Sequence, residues 1–256
     1  MRRAQWVALA VLLAAGCKKE EQKPAPPPPE PVALAPAGDA GPAAPAGPGV
    51  IRGVVDLTGE PPQMPVLKRG TDPVCAKTPM RDEAVLVKGG KLQNVFVRIT
   101  QNLPGRVPST PVVVDQTECM YRPRVQGAVD GQILEVKNTD PTLHNVHAYE
   151  GRGTMFNQAQ PPSAPPIRKT ASPVGIIKIG CDVHPWMLAY VIVCEHPYFA
   201  VTDADGKFEI TGLPVGEYTL EAWHERFGTK AVPVSVKADA PAQVQITFAS
   251  TDRGPQ

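Results

Sequence analysis

The sequence predicts an all-β protein, and three observations carry that expectation. From residue 50 onward the chain is a succession of short β-branched runs bounded by Gly or Pro. Proline and glycine are abundant, 31 and 22 in 256 residues, which suits turns and opposes long helices. No segment sustains a helical apolar period. Many short strands with turns between them bury their apolar faces by stacking sheets, so a sandwich or barrel is expected.

The elements follow in order. Arg2 and Arg3 precede the apolar run WVALAVLLAA (6–15), too short to span a bilayer stably. The run ends in Ala14-Ala15-Gly16-Cys17. This resembles a bacterial lipoprotein signal, in which residues 1–16 are removed and Cys17 takes the lipid. Ala14 departs from that pattern, which prefers Leu there; Leu13 sits one position earlier. The alternative is a plain secretory signal with Cys17 incidental. The tether-like residues that follow favour the anchored form. Loss of Arg2 and Arg3 takes the formal charge from +1 to about −1.

Residues 17–49 are charged at first and then rich in Pro and Ala. Such a segment buries no core and is expected to be a disordered, partly polyproline II linker. At roughly 3.1 Å per residue it reaches about 100 Å when extended. With 26 Lys and Arg against 25 Asp and Glu, the chain lacks the basic excess that nucleic acid requires. No later segment is apolar enough to cross a membrane as a helix.

Strand signals then run at 50–57, 84–89, 92–100, 111–116, 132–140, 144–150 and 175–180. They continue at 188–195, 207–211, 216–223, 230–237 and 243–249. Asp205-Gly206 and Pro214-Val215-Gly216 are turns between such runs. The residues Thr202, Asp203, Asp205, Gly206, Phe208, Leu213, Pro214, Gly216, Tyr218 and Leu220 form a recognisable series. It resembles the carboxypeptidase regulatory-like, transthyretin-type β-sandwich over about fifty residues. The resemblance implies a scaffold or binding accessory and no catalysis. Such a sandwich begins with a strand and turn like Gly53-Val54-Val55-Asp56-Leu57-Thr58-Gly59-Glu60-Pro61. Residues 50–105 with 198–249 are therefore expected to form it, with 106–197 inserted. The alternative is tandem, with 50–197 one domain and 198–249 another.

The stretch IGCDVHPWM (179–187) holds a thiolate, an imidazole and a thioether at three-residue spacing. These soft to borderline donors suit copper better than calcium, magnesium or manganese. One loop supplies Cys181, His184 and Met187, so a second histidine must come from elsewhere. GQILEVKNTDPTLHNVHAYE (131–150) offers His144, with His147 as rival; strand alternation turns His147 to the opposite face. The two stretches together resemble the cupredoxins of the plastocyanin and azurin type over roughly 110–197. The resemblance implies a Greek-key sandwich and one type 1 copper held by His144, Cys181, His184 and Met187. It also implies that Asn145 braces the cysteine loop. Trp186 either shields the metal or packs on the loop. Electron exchange is expected through the edge of His184 or the Cys181 sulfur.

With Cys17 assigned to lipid and Cys181 to copper, Cys75, Cys119 and Cys194 remain. Cys75 and Cys119 stand in turn-rich context and are expected to pair in an oxidising compartment. Cys194, in an apolar run, is expected to be a buried thiol. His196 and His224 are expected to be structural.

Four functions compete: electron carrier, copper storage or delivery protein, structural or ligand-binding sandwich, and oxidoreductase. A single cysteine in the ligand loop opposes a binuclear copper centre. The absence of a His-x-His pair opposes a multicopper enzyme. No hydrolytic triad or phosphate-binding glycine loop is recognisable. Six methionines scattered over the chain do not resemble a labile delivery surface. The expectation is a non-enzymatic electron-transfer lipoprotein of the bacterial envelope, periplasmic or at the cell surface. It would be lipid-anchored and would serve redox partner proteins.

Overall fold

The computed structural model describes residues 48–254. The expected signal peptide, the lipidation at Cys17 and nearly all of the tether lie outside the described residues. Within them, strands β1 (Gly49–Thr58), β2 (Val87–Lys88), β3 (Lys91–Leu92), β4 (Phe96–Ile99), β5 (Val112–Thr117) and β6 (Met120–Arg122) come first. Next are β7 (Val125–Val129), β8 (Ile133–Asn138), β9 (His144–Glu150), β10 (Gly153–Gln160), β11 (Ile167–Thr170) and β12 (Gly175–Gly180). The last are β13 (Leu188–Cys194), β14 (Phe199–Val201), β15 (Lys207–Leu213), β16 (Gly216–His224), β17 (Gly228–Val236) and β18 (Ala242–Ala249). One turn of 3-10 helix lies at Cys75–Lys77. The protein is all-β, as the runs of β-branched residues predict.

The strands form four sheets. One has the order β15-β1-β3-β2, with β18 also on β1, and a second has the order β14-β4-β16-β17. Strands from both ends of the chain thus share sheets: β1 runs antiparallel to β15 and parallel to β18, and β4 lies between β14 and β16. The core they share includes Ile51, Val55, Leu92, Ile99, Leu220 and Phe248, each 0–1% exposed. The turn Asp205-Gly206 returns the chain from β14 to β15. Gly206 has φ +69°, and a Cβ there would lie 2.6 Å from the carbonyl oxygen of Val55. That position therefore takes glycine on two grounds, conformation and space.

The other two sheets have the orders β10-β9-β12-β13-β7 and β11-β8-β5-β6. Val114, Tyr121, Val136, Val146, Ile179 and Val191 fill the space between them. Strand β13 is buried on both sides, because Ala189, Val191 and Val193 face this core while Ile192 and Cys194 face the other way. Ile192 and Cys194 meet Phe96 of β4 and Val125 of β7 in a third cluster. A strand apolar on both faces reads as a continuous run, and "AYVIVC" is one.

Five strands escape the sequence pattern: β6, β7, β10, β11 and β14. Each lies at the edge of its sheet. An edge strand has a neighbour on one side alone and tolerates polar residues, so its alternation is weak. β10 (GTMFNQAQ) and β11 (IRKT) show it, with most of their residues exposed. The expected strand at 84–89 shrinks to Val87–Lys88, and the one at 92–100 is cut by Asn94, whose φ is +62°. Pro233 sits inside β17, also an edge strand, where a missing amide costs no sheet bond.

Candidate metal centre

Two elements carry the expected ligands. β9 opens with His144, and the loop from β12 to β13 carries Cys181, His184 and Met187. The strands β9 and β12 are direct neighbours, paired from Ile177 with Glu150 to Gly180 with His147. Tyr121, fully buried, fastens this junction. Its hydroxyl lies 2.6 Å from the Asn145 carbonyl oxygen and 3.1 Å from that of Gly180, so one proton serves the carbonyls beside both ligand positions. Burial raises the pKa of this phenol and keeps it protonated.

The donor atoms of His144, Cys181 and His184 all lie within 4.8 Å of one another, and all three residues are buried. Nδ1 of His144 is 2.8 Å from Nδ1 of His184, and the Cys181 sulfur is 3.9 Å from the latter. The outer nitrogens meet carboxylates. His144 Nε2 lies 2.9 Å from Asp140 Oδ2, and His184 Nε2 lies 3.2 Å from Asp72 Oδ2. A carboxylate accepts, so a proton on each Nε2 is met by its carboxylate, and the two Nδ1 atoms face each other at hydrogen-bond distance. Two imidazole nitrogens facing each other beside a sulfur, out of water, are a donor group that could hold a metal ion. The donor set, two imidazoles and a thiolate, fits a soft to borderline metal.

Met187 is 1% exposed and borders the same depression as Cys181. Its amide donates to the His184 carbonyl oxygen at 2.9 Å, which closes the ligand loop. Asn145 holds that loop from the other side. Its amide lies 3.5 Å from the Cys181 sulfur and its Oδ1 accepts from the Asp182 amide at 2.6 Å. Burial works against the Cys181 thiolate, but His144 and the amides of Asn145, His184 and Val183 outweigh it and lower its pKa. Burial also disfavours imidazolium at His144, where Asp140 and Cys181 prevail and raise the pKa. At His184 burial and the charge of His144 prevail, and the pKa falls.

The edge of His184, one of the two expected electron paths, is covered by protein. The side chain is 1% exposed. Asp72 covers Nε2, the Cys75 sulfur lies 3.8 Å from the same atom, and the Trp186 ring sits 5.0 Å away. Trp186 is itself fixed by a hydrogen bond from its indole nitrogen to the Cys119 carbonyl oxygen at 3.0 Å. Cys181 and Met187 border a surface depression of about 500 Å³ with Tyr149, Lys178, Asp182 and Pro185.

Cys75 and Cys119 form a disulfide, and Cys181 and Cys194 are free and buried. Glu118 and Cys119 are the two turn residues between β5 and β6, with φ of +56° and +54°. Positive φ at both positions is the hairpin geometry that normally selects Asn-Gly, so two side chains here are held against their preference. The disulfide, the Asp140 carboxylate on the Cys119 amide and Arg69 on the Glu118 carbonyl oxygen hold them.

His147 is held by Asp182 and Thr154 at 2.9 Å each and enters no donor group among the described residues. His196 bonds the Gln101 carbonyl oxygen at 3.0 Å, and His224 is packed on Phe227. Sequence reasoning missed Asp72 and Asp140. Asp140 stands four residues before His144 in the turn that delivers it, which was a usable signal. Asp72 stands three residues before Cys75, and only the pairing of Cys75 with Cys119 hints at its place.

Residues 189–249 match the family model of the carboxypeptidase regulatory-like domain. No curated protein matches the chain. Among solved structures, a novel purple cupredoxin from Nitrosopumilus maritimus is 19% identical, covering 32% of this chain and 98% of its own, with a TM-score of 0.29. Amicyanin from Paracoccus versutus is 22% identical, covering 38% of this chain and 97% of its own, with a TM-score of 0.30. A reduced amicyanin variant is 21% identical over 38% of this chain and 98% of its own, with a TM-score of 0.31.

Proposed function

We propose that this chain is a carrier of single electrons, with one type 1 copper ion held by His144, Cys181, His184 and Met187. The observation that carries the reading is the convergence of His144, Cys181 and His184 on one buried point within 4.8 Å. When bound, copper would supply a Cu(II)/Cu(I) couple. The chain's own part is to hold the donors still. Tyr121 fastens the ligand strands, Asn145 and Pro185 limit the loop, and Trp186 covers His184. Rigid donors keep reorganisation small, which suits outer-sphere exchange. Exchange runs on the Cys181 and Met187 side, where the depression brings a partner nearest the thiolate. Burial of all three donors opposes a delivery protein, which needs accessible and labile ligands.

In this reading the sandwich of 106–197 is an insertion in the regulatory-like sandwich of 50–105 and 198–249. The pairing of β1 with β15 and β18 supports it. Export, a lipid anchor at Cys17 and a tether reaching redox partner proteins of the bacterial envelope complete the proposal. Voltammetry of the copper-loaded protein tests it. A reversible one-electron wave is expected, and copper that binds without cycling would contradict the carrier.

A further inference from the structure

The segment 69–78 stands outside the strands that carry the ligands, yet it supplies a carboxylate to one of them. Asp72 is fixed at both oxygens. Oδ1 accepts the amides of Val74 and Cys75 at 2.7 and 3.2 Å. Oδ2 accepts the Thr142 hydroxyl at 2.7 Å and faces His184 Nε2 at 3.2 Å. The segment is itself anchored on both sides of Asp72. Arg69, 5% exposed, reaches the carbonyl oxygens of Thr78 and Glu118, and Cys75 is bonded to Cys119. So many restraints on one carboxylate exceed what closing a surface loop requires.

We propose that Asp72 is a positioning residue for His184, delivered to the metal centre by the disulfide-stapled segment 69–78. It fixes the tautomer that turns Nδ1 inward, strengthens that nitrogen as a donor, and stops the ring from swinging out. Asp140 does the same for His144 from within the ligand sandwich, so each imidazole is held between a carboxylate and the centre. A partner of this kind on a ligating histidine contributes to metal affinity as well as to geometry. The inference rests on the copper reading above.

The test compares the full chain with Asp72→Asn for Zn(II) and Cu(II) affinity, by competition with a chromophoric chelator, and for the copper potential and visible band. Asp72→Asn is expected to weaken both metals by about 10- to 100-fold. Its potential should rise, because a weaker imidazole donor stabilises Cu(II) less, and its band should shift. Affinity, potential and band all unchanged would overturn the positioning role while leaving the copper reading intact. A parent chain that binds no stoichiometric copper would overturn both. Should Asp72→Asn fail to fold, Thr142→Val removes the hydroxyl that aims Oδ2. It is expected to shift affinity and potential in the same direction by less, and no shift would count against the role.

Discussion

His224 is a buried base with half of its hydrogen bonding undone. Its Nδ1 accepts the Arg226 amide at 3.2 Å, while Nε2 has no partner. Burial against Phe227, with the charges of Arg124 and Arg226, pushes its pKa down to about 3. The unfolded chain binds that proton near pH 6.5, so the folded state holds fewer protons between these values. The contribution to stability is whole above pH 6.5 and is lost as pH falls, with a slope approaching about 1.4 kcal/mol per unit. Urea midpoints at pH 7.5, 6 and 5 are expected to fall less steeply for His224→Gln than for the parent. Parallel slopes would refute this. At the same scale, the four expected ligands were legible because one loop and one strand opening set their spacing. Asp72 was not, because a pairing 44 residues long in sequence brings it to His184.

At the scale of elements, the ligand geometry depends on the junction of β9 and β12. Tyr121 reaches it from β6, an edge strand. Tyr121→Phe leaves the carbonyl oxygens of Asn145 and Gly180 without that proton in a buried place. The expected cost is about 1–3 kcal/mol, read as a lower urea midpoint at unchanged slope. An unchanged midpoint would show that the hydroxyl is not the fastener. The strands missed from the sequence were all edge strands. β9 and β12 match the sequence pattern residue for residue, since their neighbours on both sides demand β-branched apolar positions. β10 has a neighbour on β9 alone, and its Thr154, Asn157 and Gln158 carry no such pattern.

At the scale of the molecule, the two sandwiches share apolar and charged ties. Phe96, Val125, Ile192 and Cys194 form the apolar one. Arg124 and Glu225, with side chains 4% and 6% exposed, form the charged one, with two contacts of 2.5 and 2.9 Å. Neither tie was readable from the sequence, because each joins segments about a hundred residues apart that carry no common motif. The candidate metal centre is built from one sandwich plus the stapled segment 69–78. The central claim is therefore local: a thiolate and two imidazoles meet where copper fits. The visible absorption spectrum of the full chain after Cu(II) addition tests it, taken beside that of Cys181→Ser. An intense thiolate-to-copper band near about 600 nm in the parent, absent from Cys181→Ser, is the predicted result. A colourless parent with no stoichiometric copper would contradict it.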